Sequence, residues 1–169
     1  SKVINSTINL RNNFFTIDKG SREGVRPDMG VIESHSGLIG VVRNVSDNFA
    51  HVISLLNRQT RISCTVKNRR GHGTLMWNDM DPLRMSLESI PKHEKIEVGD
   101  TVITSGYSTM FPRGILVGKI ESIKVPPGSN SYSVSVKLFN DLTSVKYVYV
   151  IQNIYAAEQT LLEKEVVNE

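Results

Sequence analysis

Ser131-Tyr132-Ser133-Val134-Ser135-Val136-Lys137-Leu138 decides the fold class. Tyr132, Val134, Val136 and Leu138 alternate with Ser133, Ser135 and Lys137, and a period of two sends alternate side chains of an extended chain to opposite faces. That alternation reads as an antiparallel strand with one buried face and one wet face. Outward from it, short runs rich in Val, Ile, Leu and Thr recur from the first residues to about Gln152, divided by Gly, Pro, Asn and Asp. Phe14-Phe15-Thr16-Ile17 runs into the turn Asp18-Lys19-Gly20-Ser21, and Gly30-Val31-Ile32 leads through His35-Ser36-Gly37 to Leu38-Ile39-Gly40-Val41-Val42. Similar runs lie near 51–56, 61–66, 74–77, 83–87, 100–104, 116–125 and 145–151. No interior stretch repeats with a helical period, so the sequence predicts an all-β chain.

The end of the chain differs. Over 153–169, Tyr155, Leu161, Leu162 and Val166 sit among Glu and Gln with good helix formers between them, which predicts a terminal helix or a frayed end. Within the β region, Val25 to Val42 echoes Val98 to Ile120: each reads as turn, strand, loop and strand with a central glycine. A pair of similar small barrels would produce that echo, as would one barrel reusing a hairpin. Gly40 and Gly118 fall inside apolar strands, where a missing side chain marks a bend, a bulge or a close backbone approach.

Composition bounds what such a chain can do. Its 169 residues, 39% hydrophobic, suffice for one sizeable core or two small ones, and 22% charged residues are too few for disorder. Twenty Lys and Arg against 17 Asp and Glu is a mild excess, not a polyanion-binding signature. Cys64 is alone, so no internal disulfide forms, and a buried inert thiol is expected. No apolar stretch is long enough to span a bilayer, and the chain opens at Ser1-Lys2-Val3-Ile4 already in strand-like sequence; any membrane anchor is expected upstream.

His51, Asp79 or Asp81, and Ser105 occur in the chain order of a trypsin-like triad, and Ala50-His51 and Ser105-Gly106 mimic fragments of its motifs. A double-barrel serine protease, or a degenerate relative, is therefore the alternative reading. That nucleophile needs a glycine two positions earlier to build its oxyanion hole, and Ile103 stands there. His35, His51, His72 and His93 are scattered, and Asp79-Met80-Asp81 lacks the further ligands and glycine of a calcium loop, so no metal is expected. Gly71-His72-Gly73 lacks the lysine and helix of a phosphate loop, so no cofactor is expected. The basic run Lys67-Asn68-Arg69-Arg70 could meet nucleic acid or an anionic membrane, but no aromatic stacking platform accompanies it, and it reads as a solvated connection. Trp77, the sole tryptophan, reads as a core or edge residue in preference to a sugar-stacking one.

Three segments remain: Phe15-Thr16-Ile17-Asp18-Lys19-Gly20-Ser21-Arg22-Glu23-Gly24-Val25; Gly37-Leu38-Ile39-Gly40-Val41-Val42; and Thr104-Ser105-Gly106 with Phe111-Pro112-Arg113-Gly114-Ile115-Leu116-Val117-Gly118. In this order, and over about 3–151, they resemble the bacterial rod-shape-determining MreC family. The resemblance implies two small six-stranded antiparallel β-barrels, chymotrypsin-like in arrangement without a triad, to which the residues at 153–169 add a short C-terminal helical tail, longer and more acidic than the family's. It implies a discontinuous first barrel at 1–66 and 129–152, with the second at 67–128 inserted in it. It implies Lys19, Gly20, Gly24, Gly37, Gly40, Gly106, Phe111, Pro112, Gly114 and Gly118 as motif residues of structural kind, with no catalytic residue and no partner-contacting residue assigned. The implied role is a non-enzymatic scaffold of cell elongation, on the periplasmic face of the cytoplasmic membrane and anchored by a single N-terminal helix. The implied partners are a second copy in a dimer or filament, the elongation-specific penicillin-binding transpeptidase, MreD, and indirectly MreB and a glycosyltransferase, with no nucleic acid.

Overall fold

The computed structural model describes residues 1–8, 10–35 and 37–167. Twelve strands among them fall into two six-stranded antiparallel sheets, as the resemblance implied. The first sheet contains β1 (Val3–Ser6), β2 (Asn12–Ile17), β3 (Gly30–Glu33), β4 (Gly37–Val45), β5 (Ala50–Asn57) and β12 (Tyr149–Ile151). Its order is β1-β2-β5-β4-β3-β12. The second contains β6 (Ile62–Val66), β7 (His72–Met76), β8 (Arg84–Pro91), β9 (Thr101–Thr104), β10 (Leu116–Lys124) and β11 (Ser131–Leu138), and it closes into a barrel in the order β10-β11-β8-β7-β6-β9.

Only the second sheet is a continuous closed ladder. In the first, the outer strands β1 and β12 meet through one bridge, Lys2 opposite Tyr147. Ser1 donates its amine hydrogen to Val148 O at 2.8 Å, Val148 N–H returns a bond to Ser1 O at 2.9 Å, and Val3 N–H reaches Lys146 O at 2.9 Å. Ladder bonds at the seam satisfy backbone groups that a free edge would leave exposed.

Strand membership corrects the expected limits of 1–66 with 129–152 and 67–128. β6 pairs β7 and β9, and β11 pairs β8 and β10, so the closed barrel takes 62–138. The alternation of β11 delivers Val134, Val136 and Leu138 to that barrel's interior, where Cys64 and Val66 of β6 also lie. An alternating strand needs one apolar face covered, and either sheet could cover it; pairing, which periodicity does not encode, makes the choice.

The two sheets share one hydrophobic core. The chain crosses from β5 to β6 over residues 58–61 and returns from β11 over 139–148, so the barrel is an insertion between two strands of the first sheet. Phe111, 1% exposed, lies on β3 at Gly30, where an added Cβ would overlap its ring. Gly37 of β4, at φ 97°, lies against the Leu116 backbone of β10, and Asn140 Nδ2–H donates to Leu38 O at 3.0 Å. The expected tail forms α1 (Ala156–Val167). Half-buried Ala156, Gln159 and Thr160, spaced i, i+3 and i+4, form its inner side, and Tyr155, Leu161 and Leu162 are exposed.

Candidate interaction surfaces

The triad-like residues are each engaged elsewhere. His51, on β5, stacks on Phe14 of β2 with ring centroids 4.7 Å apart. Asp79 lies 3.5 Å from Nε of both Arg11 and Arg58, and Asp81 pairs with Arg84 at 2.6 Å. Ser105, 3% exposed, donates its hydroxyl hydrogen to Ser63 Oγ at 2.7 Å and accepts from Tyr107 N–H at 3.2 Å. A nucleophile must be open to substrate and hydrogen-bonded to its base, and Ser105 is neither. Burial also raises the Cys64 thiol well above its ordinary range, so it is no thiolate nucleophile. Among the described residues no group of three His, Cys, Asp or Glu could hold a metal.

The motif residues occupy turns and close approaches. Gly20 caps the 3₁₀ turn Ser21–Glu23; the Glu23 carboxylate accepts its N–H at 3.0 Å and lies 3.9 Å from Lys19 Nζ, and Gly24 ends the turn at φ 85°. Ser21 N–H and Arg22 N–H bond the carbonyls of Ser46 and Asp47, which docks this turn on the β4–β5 hairpin. Gly40 and Gly118 face neighbouring-strand carbonyls, those of Ile53 and Lys137. Gly106 (φ 81°) and Gly114 (φ 103°) bound the loop that carries Phe111 and Pro112, and Thr104 Oγ1 pins that loop by donating to Pro112 O at 2.7 Å and accepting from Ile115 N–H at 2.9 Å.

An exposed surface with large apolar side chains lies at the seam of the first sheet. Lys2 and Tyr147 oppose each other, Tyr149 follows two residues further along the same extended segment, and Ile4 stands exposed at the irregularity of β1 between Val3 and Asn5. All four are exposed, Tyr147 at 64% and Tyr149 at 58%. The chain leaves β12 directly into Ile154, Tyr155 and α1, whose Leu161 and Leu162 are also uncovered. Large aromatic and aliphatic side chains left in water beside a sheet edge are characteristic of a docking surface. Sequence reasoning assigned no partner-contacting residue; the excess of Tyr between 147 and 155 is the signal that could have found these.

Two six-stranded antiparallel sheets, one closed into a barrel and inserted between strands of the other, define an all-β protein of the double-barrel kind. A family model described as rod shape-determining protein MreC, barrel core, matches residues 3–152, and the chain belongs to that family. The cell shape-determining protein MreC of Listeria monocytogenes is 33% identical over 139 residues, covering 80% of this chain and 47% of that protein. The chain thus spans about half the length of the curated relatives it matches. A solved Listeria monocytogenes MreC superposes with a TM-score of 0.82 at 32% identity, covering 89% of this chain and 73% of that one. A major periplasmic domain from the cell shape-determining filament MreC gives 0.74 at 25% identity over 90% and 95% of the two chains. A chain from a complex between penicillin-binding protein PBP2 and MreC of Helicobacter pylori gives 0.61 at 18% identity over 81% and 87%, which shows the shared fold.

Proposed function

We propose that this chain is the barrel portion of a non-enzymatic scaffold that organises peptidoglycan synthases during cell elongation. The observation that carries the reading is the exposed seam of Ile4, Tyr147 and Tyr149 on a fold whose triad-like residues are tied into structural bonds. The partner is the elongation-specific penicillin-binding transpeptidase, a reading supported by the Helicobacter pylori complex of PBP2 with MreC. Self-association and a periplasmic position follow the same reasoning from the relative described as a periplasmic domain of a cell shape-determining filament, and a single-pass N-terminal membrane anchor belongs to the same proposal. MreD, and more remotely MreB and the glycosyltransferase, complete the assembly. The ten motif residues serve construction in this reading, since they sit in turns, caps and close approaches.

The test is transpeptidase binding by biolayer interferometry. Tyr149→Ala and Tyr147→Ala should each weaken it about tenfold or more, as truncation of a central aromatic does at an interface. Thermal midpoints should stay at wild type because both side chains are solvent-exposed. Unchanged affinity in the double variant would remove the seam from the interface.

A further inference from the structure

The basic run that reads as a plain connection in the sequence has acquired an aromatic neighbour in the fold. Arg69 and Arg70 follow β6 at one end of the closed barrel. Arg113 Nη2–H donates to Arg69 O at 3.1 Å, and Gly106 is held so near Arg113 that an added Cβ would lie 3.0 Å from its Cβ. The residue after Gly106 is Tyr107, whose ring stacks on His72 with centroids 4.3 Å apart and planes inclined by 22°. Arg69, Arg70, His72, Tyr107 and Arg113 therefore form one cluster, although 44 residues separate its ends.

The three arginines of this cluster outnumber the one carboxylate beside it, Glu94. Among the described residues no carboxylate pairs with Arg69, Arg70 or Arg113, nor with the dispersed Arg26, Arg43 and Arg61, whereas Arg11, Arg22, Arg58 and Arg84 all have one. Arg69 Nε is shut off from solvent without a partner. Glu94, the carboxylate beside Gly71, is committed to the Gly71 N–H at 2.6 Å and lies 4.0 Å from His93 Nε2. Meanwhile Tyr107 is 67% exposed: His72 backs one face of its ring and the other is open.

From this we infer a binding site for an anionic saccharide at the Arg69–Tyr107–Arg113 end of the closed barrel. A ring fixed from behind offers a flat, rigid face for the C–H face of a sugar ring, with little ordering entropy left to lose. The arginines carried by the same end of the barrel offer planar paired donors that match a carboxylate or phosphate on that sugar. An acidic peptide would use the arginines and leave the ring face empty. A lipid surface would be met by the charges alone, with the stacked ring contributing nothing specific.

The experiment titrates the protein with an oligoglucuronate, a phosphomannan, a neutral chito-oligosaccharide and phosphatidylglycerol vesicles, by calorimetry and co-sedimentation. One or both anionic saccharides should bind saturably, the one that binds identifying the acid group, and affinity should fall with added salt. Tyr107→Ala should weaken binding about fivefold or more, Arg113→Gln about threefold or more, and Tyr107→Phe should retain it, all with thermal midpoints within about 2 °C of wild type. Absence of binding to either anionic saccharide at millimolar concentration would overturn the assignment. So would equal affinity for the neutral sugar, indifference to both Tyr107→Ala and Arg113→Gln, or capture by vesicles alone.

Discussion

Gly118→Ala adds one methyl group where the closed barrel has no space for it. Gly118 lies on β10 opposite Leu138 of β11 and Val102 of β9, so it is flanked on both sides. An added Cβ would overlap the Lys137 carbonyl oxygen, stand 2.8 Å from that carbonyl carbon and 2.9 Å from Val136 Cγ1. Two of these three atoms are backbone of a paired strand, so relief requires the β10–β11 ladder to open and not merely a side chain to rotate. Overpacking of this kind costs about 1–3 kcal/mol, partly offset by about 0.4–1 kcal/mol because alanine has less unfolded-state freedom than glycine. The central values of these ranges leave a net loss of about 1 kcal/mol, which lowers the midpoint of a domain this size by about 2–4 °C. Differential scanning calorimetry beside the neighbouring exposed substitution Lys119→Ala measures it, and Gly118→Val should melt lower still. Transpeptidase binding measured well below the midpoint should remain at wild type, because the loss acts through folding. A Gly118→Ala protein that melts with or above wild type would refute the reasoning, and one that melts normally but fails to bind would place Gly118 in an interface.

Phe111→Ala should cost about 3–5 kcal/mol in urea unfolding, since it empties a fully buried site between the loop after β9 and Gly30 of β3; a loss below about 1 kcal/mol would mean that Phe111 does not join the sheets. Cys64 should resist a thiol-specific disulfide reagent in the folded protein and react promptly in urea, because burial holds its thiol protonated and out of reach; fast reaction under native conditions would contradict its placement. Asp81 is held below its ordinary pKa by the Leu83 N–H and by Arg84, and Glu121 by Arg84. A carboxylate depressed in the folded state stabilises above its unfolded pKa, and that contribution is lost as pH falls through about 4 towards the folded value. Arg84→Ala should therefore flatten the decline of the thermal midpoint between about pH 5 and 3, and an unchanged acid limb would show that these pairs are not coupled to folding.

The all-β class was legible because period-two alternation at Tyr132, Val134, Val136 and Leu138 is a local property, written in consecutive residues. The close approach at Gly118 was legible for a related reason: a glycine inside an apolar strand forgoes β-propensity and side-chain burial, so something must require it. What the sequence did not reveal is long-range. β6 and β11 belong to the closed barrel because of their partners, β7 and β9 for one and β8 and β10 for the other, and pairing leaves no trace in either strand's own pattern. His72 and Tyr107 stack although 35 positions apart, so the aromatic platform missing beside the basic run in sequence is supplied through the fold. The seam went unread for the same reason, since Lys2 and Tyr147 become neighbours only when the first sheet has formed.

That seam also determines how the chain bears tension. Ser1 and Val148 are hydrogen-bonded partners in an antiparallel bridge, with Val3 facing Lys146 further along. Force applied at Ser1 and at the start of α1 therefore enters and leaves the first sheet at the same end of the bridge. Bonds of the bridge itself are then loaded one after another, as in a zipper, and not together, as in shear, with the β12–β3 pairs between the bridge and α1 sharing the load. The closed barrel, inserted between β5 and β12, lies outside the line of that force for as long as the bridge holds.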